Sequence, residues 1–240
     1  MAAQAAAILT HTARYSRAGL ITMIRDEINE PIERIFSDGS QDSPTDDLDS
    51  WIDLGASVAS VLACCCVAEE EVAITTTGKF EHSIDPIIFK VIGAAYIATP
   101  GASEVTYGLQ KIRPQAYGGG TSAQVNTLPP KFYFIHGEGT YLKMFIIPTS
   151  QTGTDNVKIF GFARAAQHDT GQLPEEMQIA PLYYALSHVY ARLGKHRLSA
   201  LNMSKFIGMC NSWRLNQANA VYRVDPWSST MIPDVTVTAQ

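Results

Sequence analysis

Residues 171–198, GQLPEEMQIAPLYYALSHVYARLGKHRL, combine side chains that catalysis uses. They include two histidines, three tyrosines and the adjacent carboxylates Glu175 and Glu176. Adjacent residues of a helix point in different directions, so the two glutamates do not form a catalytic carboxylate pair. Negative charge near a helix start is instead favoured by the helix dipole. His188 lies on the flank of the amphipathic pattern, where we expect a hydrogen-bonded structural histidine. The segment is therefore predicted to pack rather than to catalyse.

The other chemically suggestive residues form no recognisable active site. The six histidines lack the spacing of a metal motif, which leaves open only ligation by residues that the fold brings together. His136-Gly137-Glu138-Gly139 resembles a phosphate loop, but a strand-like segment follows it where a nucleotide site needs a helix, so it predicts a hairpin turn. Gly118–Gly120 lack the rest of a P-loop, and no G-x-S-x-G elbow is present. No catalytic, cofactor-binding or metal-binding residue is predicted.

Residues 171–198 and the segment after them are predicted to form two C-terminal helices. Pro174 suits a first helical position, and Gly194 suits a helix end. Pro181 lies about two turns in, where we expect it to bend the helix. Apolar residues recur at helical spacing in both segments, and the short turn between them predicts an antiparallel hairpin. The first series is Ile179, Leu182, Tyr183, Leu186, Val189, Tyr190 and Leu193; the second is Leu198, Leu201, Phe206, Ile207, Met209, Cys210 and Trp213.

Two helices are also predicted at the N-terminal end of the chain. Residues 5–36 have helical periodicity, with a kink expected at Pro31. A turn-rich acidic loop, 37–47, comes next. The second helix is expected from about Asp47, with Asp46 or Asp47 as its N-cap.

The middle of the chain is predicted to be β structure. Residues 70–166 are rich in β-branched side chains interrupted by glycine and proline. We expect five or six strands there, including 105–114, a hairpin within 131–148, and 156–166. The composition of 116–130 is typical of a flexible connection. The order of elements predicts an α+β fold, in which N-terminal and C-terminal helix pairs form a bundle with an inserted β region.

Composition narrows the class of protein. Apolar residues make up 46% of the 240 residues and charged residues 17%, which is typical of a globular protein. The net charge is −5, so bulk charge does not favour nucleic-acid binding, although residues 1–120 carry −8 and residues 121–240 carry +3.

The cysteines form neither a disulfide framework nor a zinc motif, and we expect free thiols at Cys64, Cys65, Cys66 and Cys210. The N-terminus does not resemble a signal peptide, and the apolar run 54–68 is too short to span a membrane.

The order of these features resembles a known family. Asp47–Leu54 opens the second helix, LQKIRP (109–114) ends a strand region, and LPPKFYFIHGEGTYLKMFIIP (128–148) forms a strand pair ending in proline. GQLPEEMQIAPLYYALSHVYARL then precedes a last helix ending in Trp213-Arg214. Over most of residues 5–215 the chain is similar to the head-to-tail adaptor, or connector, proteins of tailed bacteriophages. The prolines at 31 and 181 and the Cys-Cys-Cys run depart from the expected smooth helices.

The resemblance implies a structural virion protein, assembled in the host cytoplasm and located at the neck. Such adaptors form a homo-oligomeric ring, commonly a dodecamer, under the portal protein and dock a neck or tail protein. DNA passes through the ring without sequence-specific binding, and the acidic half of the chain could line that channel. The implied domain is 1–215, with helices at about 5–67 and 173–215 and a β insert at about 70–166. No cofactor and no membrane are implied.

The last residues are predicted to form an extended C-terminal arm, 216–240. The tail is apolar for a terminal segment, and DVTVTA alternates like a strand, so it could add to a neighbour's sheet. The candidate docking residues are Tyr222, Trp227, Ile232, Val235 and Val237. A tail folded back on its own subunit is the alternative. The rival function is an enzyme or small-ligand-binding protein with a site between the hairpin and the helices, and a nucleic-acid-binding module ranks third.

Overall fold

The described part of the chain is α+β. The computed structural model describes residues 6–28, 44–74, 81–98, 105–113, 130–137, 142–147, 155–168 and 171–223, the side chains of 44–46, 147 and 218–223 excepted. Within these ranges there are four α-helices, a 3₁₀ turn and a curled sheet of eight strands. Pro31 and the connection 116–130, apart from Pro130, lie outside the described residues.

The helices are α1 (Arg17–Ile28), α2 (Pro44–Ala63), α3 (Ala180–Arg192) and α4 (His196–Arg223), with the 3₁₀ turn at Glu175–Met177. The strands are β1 (Ala7–Ile8), β2 (Val67–Ala73), β3 (Glu81–Ser83), β4 (Ile88–Ala98), β5 (Val105–Lys111), β6 (Phe132–His136), β7 (Lys143–Ile147) and β8 (Asn156–Ala163).

The chain divides into two compact units. A helical unit combines Ile8–Cys66 with Arg164–Arg223, and a β unit is built on Val67–Ala163. The main part of the β unit therefore lies between Cys66 and Arg164 of the helical sequence, and the β unit also includes Ala7, just before the helical unit begins. Strand β2 begins at Val67, inside the range that periodicity assigned to the N-terminal helices.

The strand order in the β unit is β1-β2-β8-β4-β5-β6-β7-β3. Side chains of β2 and β8 alternate between buried and half-buried positions, so one face of the sheet forms the core. Strands β6 and β7 pair antiparallel from Phe132↔Ile147 to His136↔Lys143, which confirms the predicted hairpin. Its outer face carries Phe134 stacked on Phe145, with ring centroids 4.8 Å apart.

A glycine allows β4 and β8 to approach closely. A Cβ atom on Gly161 would lie 2.4 Å from Ile88 Cγ2 and 2.9 Å from Lys90 O. The β4–β8 register shifts between Ile88 and Lys90, beside this position. A larger residue at 161 would therefore push the two strands apart at a bulge.

The prediction of a helix from residue 5 is wrong. Residues 7 and 8 form β1, and α1 begins only at Arg17. Ser16 caps it, because its Oγ accepts from Gly19 N at 3.1 Å. Upstream, His11 N donates to Gly171 O at 2.7 Å, so a long-range bond takes a donor that a helix would use locally.

The second helix also differs from its prediction at both ends. It starts at Pro44, three residues before Asp47, consistent with the tolerance of proline in a first helical turn. It ends at Ala63, because Cys64 adopts a left-handed backbone with φ of 50°. The three cysteines therefore form the turn from α2 into β2 rather than a helix end.

The expected kink at Pro181 is absent because α3 starts later than predicted. Pro174 has extended ψ of 150° and precedes the 3₁₀ turn, whereas Pro181 occupies the first turn of α3. No helical hydrogen bond is lost to proline at that position. Gly194, with φ of 69°, ends the helix as predicted: its N donates to Ala191 O, and Lys195 N donates to Tyr190 O.

The core of the helical unit confirms the apolar face of α3 but only half of the α4 series. Leu182, Leu186, Val189 and Tyr190 pack with Leu20, Ile24, Ile28, Leu48 and Ile52. On α4, Phe206 and Cys210 are buried. Leu201, a member of the apolar series from which the helix hairpin was predicted, is 51% exposed, and Leu198 and Ile207 are exposed too. The last helix extends to Arg223, past the predicted end at Trp213-Arg214.

Candidate functional site

Gln178 is the most connected side chain of the segment 171–198. It is 1% exposed, and its Oε1 accepts from Arg14 N at 2.7 Å and from Tyr15 N at 3.4 Å. Its Nε2 donates to Thr12 O at 2.8 Å and Leu173 O at 3.1 Å. One buried amide therefore fixes the segment before α1 against the segment before α3, and none of its polar atoms is left for a substrate.

A second polar cluster joins α1, α2 and the segment after β8. Arg17 Nη2 donates to both carboxylate oxygens of Asp53, at 2.6 and 2.8 Å. Asp53 Oδ1 also accepts from His168 N at 3.0 Å, and His168 Nε2 donates to Tyr15 O at 2.8 Å. A bidentate arginine pair adds orientation as well as energy, so the cluster sets how the three segments meet.

His188 is held by aromatic stacking. Its ring stacks on Trp51 with centroids 5.5 Å apart and contacts Tyr184 at 4.7 Å. Its Nε2 is buried and has no hydrogen-bond partner in the described ranges, unlike the hydrogen-bonded ring we expected. Burial lowers the pKa of His188, which favours the neutral ring. Arg192 lies over the other end of this stack, 5.0 Å from the Trp51 ring centroid.

The remaining histidines are scattered. His82 pairs with Glu70 in the β unit, His136 is exposed at the end of β6, and His196 is exposed at the start of α4. Among the described residues, no three His, Cys, Asp or Glu side chains are placed to hold a metal ion. Glu138 lies outside the described residues, and Glu175 forms an exposed ion pair with Arg14 at 3.3 Å.

The cysteines are free thiols, as predicted. Cys65 Sγ lies 3.9 Å from Cys66 Sγ, and Cys66 donates to Gln172 O at 3.1 Å. The contact with Cys66, together with burial, raises the pKa of Cys65 far above its usual range. Burial raises the pKa of Cys210 to about 11. Since the thiolate is the reactive form, these buried thiols pack rather than react.

A groove of about 760 Å³ lies beside α4 on the helical unit. Its walls include Met177, Tyr183, Lys205, Met209 and Trp213. Lys205 Nζ lies 5.4 Å from the Tyr183 ring centroid, and the indole Nε1 of Trp213 has no hydrogen-bond partner in the part of the chain that is described. The sequence placed Tyr183, Met209 and Trp213 on packing faces and missed the groove. A signal was present, because α4 has apolar residues on more than one side and no acidic residue.

Of the predicted docking residues, Tyr222 lies in the last turn of α4, so its backbone is helical and not extended. Its side chain, and Trp227, Ile232, Val235 and Val237, lie outside the described residues. The arm predicted from residue 216 thus begins with helix as far as Arg223.

Comparisons with known proteins identify no family for this chain. No protein-family model matches the chain, and no curated protein matches it. Among solved structures, a chain of the neck of an empty GTA particle, computed with C6 symmetry, is similar at 12% identity. The alignment covers 79% of this chain and 94% of that chain with a TM-score of 0.27, which is too low to support a statement about fold or function. No helix within the described ranges is long and apolar enough to cross a membrane.

Proposed function

We propose that this protein is a structural virion protein, a head-to-tail adaptor that forms a ring under the portal. The ring extends the DNA channel and docks a neck or tail protein, as the sequence resemblance implies. The observation that carries the proposal is that Val67–Ala163, the main part of the β unit, lies between the two segments of one helical unit, Ile8–Cys66 and Arg164–Arg223. That order along the chain, with a β region between helices from both ends, is the one expected of the resembling adaptors.

The polar clusters support a structural role. Gln178, Arg17 and Asp53 are residue types that active sites use, yet each is consumed in joining segments far apart in sequence. The thiols of Cys65 and Cys210 have raised pKa values. Catalytic groups need polar atoms directed at a substrate and a pKa matched to their task. We infer that the chain acts without catalysis, cofactor or metal.

The partners are part of the same proposal. A ring of identical subunits uses two different faces of each subunit, which suits a chain whose halves carry −8 and +3. We propose a dodecamer that contacts the portal on one side and a neck or tail protein on the other. The acidic half faces the channel, where repulsion between carboxylates and phosphates lets DNA slide.

A docking experiment tests the proposal. The purified full-length chain is mixed with DNA-filled heads that carry the cognate portal, and the portal vertex is imaged by electron microscopy. We expect a ring of added density at that vertex and none on heads that lack the portal. Absence of the ring at saturating protein concentration would contradict the adaptor function.

Truncation after Arg223 tests the arm. It removes Trp227, Ile232, Val235 and Val237 but keeps all of α4, including Tyr222. We expect a chain that melts as the full-length protein does but no longer attaches to portal-bearing heads. Alanine at those four positions in a full-length chain should have the same effect. A much lower melting temperature would show that the tail packs on its own subunit.

Substitutions at residues with catalytic chemistry separate this function from an enzyme. His136→Ala and Glu138→Ala should each leave ring attachment and infectivity intact. His188→Ala removes a stacked ring and should cost stability only. Particles that assemble normally with any of these variants but are not infectious would favour an enzyme.

A further inference from the structure

One side of α4 is an exposed apolar stripe with positive charge. Leu198, Leu201, Lys205, Gly208 and Leu215 recur at spacings that place them on one side of an α-helix. We call these five residues the α4 face. Leu201 is 51% exposed and Leu215 is 65% exposed. The opposite side of the helix is the one that packs in the core, through Phe206 and Cys210.

The α4 face is continuous with the groove, because Lys205 and Gly208 belong to both. A Cβ atom on Gly208 would meet nothing within 4 Å, so another element can approach the backbone of α4 there. The surface is thus shaped for an apolar partner.

Charge restricts the partner further. Helix α4 contains Arg197, Lys205, Arg214 and Arg223 and no acidic residue. Arg197, Lys205 and Arg214 form no ion pair within the described residues. A fitting partner surface is therefore acidic as well as apolar.

The same chain contains such a surface on α2. This helix has Asp46, Asp47, Asp49 and Asp53 and no basic residue, and residues 26–53 contain ten acidic residues and one basic residue. Leu54, 49% exposed, and Leu62 lie eight residues apart with the half-buried Val58 between them, on one side of the helix. We call Leu54, Val58 and Leu62 the α2 face. The carboxylate of Asp47, on the same side of the helix as the α2 face, stays partly accessible beside Arg192.

We propose that the α4 face of one copy of this chain docks on the α2 face of a second copy. Leucine meets leucine and valine across the contact, and the unpaired cations of α4 approach the acidic end of α2. Because the two faces differ, the contact is head-to-tail, and it closes into a ring when the rotation between copies allows. This contact specifies how the subunits of the proposed ring meet. Only its location in a virion rests on the proposed function.

A nucleic acid is the competing occupant of a basic helix. Phosphate contacts use cations and polar groups. Here three leucines share one side of α4 with Lys205, and a phosphate backbone would cover them without an apolar partner. The α2 helix of a second copy offers apolar side chains to the leucines and carboxylates to the cations.

The test uses two full-length variants and sedimentation velocity at low salt, over roughly 1–100 μM protein. Leu201→Glu alters the α4 face and Leu54→Glu alters the α2 face. Both side chains are about half exposed, so each variant should keep the melting temperature of the wild type. The wild type should form oligomers, and each variant alone should be monomeric, with association weakened at least tenfold. Met23→Glu, on the exposed side of α1, is the matched control and should associate like the wild type.

An equimolar mixture of the two variants is the decisive sample. The Leu201→Glu chain keeps an intact α2 face and the Leu54→Glu chain keeps an intact α4 face. One head-to-tail contact can then form, so the mixture should give a heterodimer and no larger species. Lys205→Glu should weaken wild-type association, and added salt should do the same.

Several results would overturn the contact. They are a wild type that stays monomeric throughout, a Leu201→Glu chain that assembles normally, a Leu54→Glu chain that assembles while Leu201→Glu does not, or a mixture without heterodimer. Association that disappears after nuclease treatment would assign the α4 face to nucleic acid. The adaptor function is judged separately, by portal attachment. A monomer that still binds portal overturns only this contact, whereas an oligomer that ignores portal overturns only the adaptor function.

Discussion

Glu70 Oε1 lies 2.7 Å from His82 Nε2, although β8, β4, β5, β6 and β7 separate their strands in the sheet order. The sheet therefore curls until β2 approaches the edge strand β3. Glu70 Oε2 also accepts from Asp85 N at 3.1 Å, and Glu70 is 3% exposed. A buried carboxylate is stable in such a place only when it is paired, so both oxygens have a partner.

Glu70→Ala should weaken the contact between β2 and the edge strand β3. The substitution removes one acceptor from the part-buried His82 ring and one from Asp85 N, which should lower the free energy of unfolding by about 2–4 kcal/mol. Denaturant unfolding followed by circular dichroism measures the change. Glu69→Ala is the control on the same strand, because its partly exposed pair with Lys158 should contribute no more than about 1 kcal/mol. Equal losses for the two variants would contradict a closing role for Glu70.

Gln178→Ala should loosen the start of α1. It removes four hydrogen bonds and should cost roughly 2–4 kcal/mol, since the backbone groups of Thr12, Arg14, Tyr15 and Leu173 lose this buried or part-buried partner. Hydrogen exchange should accelerate at residues 11–15 before the rest of the helical unit. Gln172→Ala removes one bond to the exposed Ala166 N and should change that exchange little. Unchanged protection of 11–15 in Gln178→Ala would refute the role of this amide.

Leu186→Asp should unfold the helical unit. Leu186 is buried in the core among α1, α2 and α3, and an unpaired buried charge costs several kcal/mol. Loss of the helical circular dichroism signal at 25 °C is the expected measurement. Met23→Asp places the same charge on an exposed side of α1 and should fold normally. A folded Leu186→Asp would mean that this face of α3 is not core.

Tyr133→Phe should reduce the loss of stability that the β unit undergoes at high pH. The ring of Tyr133 is fully buried, its hydroxyl has no partner among the described residues, and burial raises its pKa to about 12. Between pH 10 and 12 the unfolded tyrosine loses its proton while the folded one keeps it, so stability falls as the pH rises. At pH 11 this effect amounts to about 1 kcal/mol, and a phenylalanine at this position has no proton to lose. Denaturant unfolding at pH 8 and pH 11 should show a smaller alkaline loss for Tyr133→Phe than for wild type; an equal loss would contradict this assignment.

The sequence pattern alone predicted those elements that depend only on residues close to one another in the sequence. The β6–β7 hairpin was predicted from two strand-like runs around a glycine turn, and the apolar face of α3 was predicted from helical spacing. The end of α3 at Gly194 was also local, because a left-handed residue ends a helix wherever it occurs. These features need no partner from a distant part of the chain to be specified.

Helix starts depended on tertiary contacts. Residues 9–15 precede α1 without joining it, because His11 N donates to Gly171 O and Arg14 N donates to Gln178 Oε1, and a helix would use these donors locally. Residues 175–177 form a 3₁₀ turn before α3 begins at Ala180. The sequence therefore assigned Pro181 to a kink, whereas the tertiary structure places it in the first turn of α3.

Burial was the other property that sequence alone did not decide. Leu186 and Leu201 stand in equally regular apolar series, yet Leu186 is covered by α1 and α2 while Leu201 faces away from every described neighbour that forms the core. Periodicity specifies which residues share a side of a helix; which side is covered depends on where the other elements pack. Likewise, VAEEEVA places Glu70 on the inner face of β2 by alternation, but only the curl of the sheet brings His82 to it. The sequence determined the faces, and the tertiary structure decided which of them are core and which remain open to a partner.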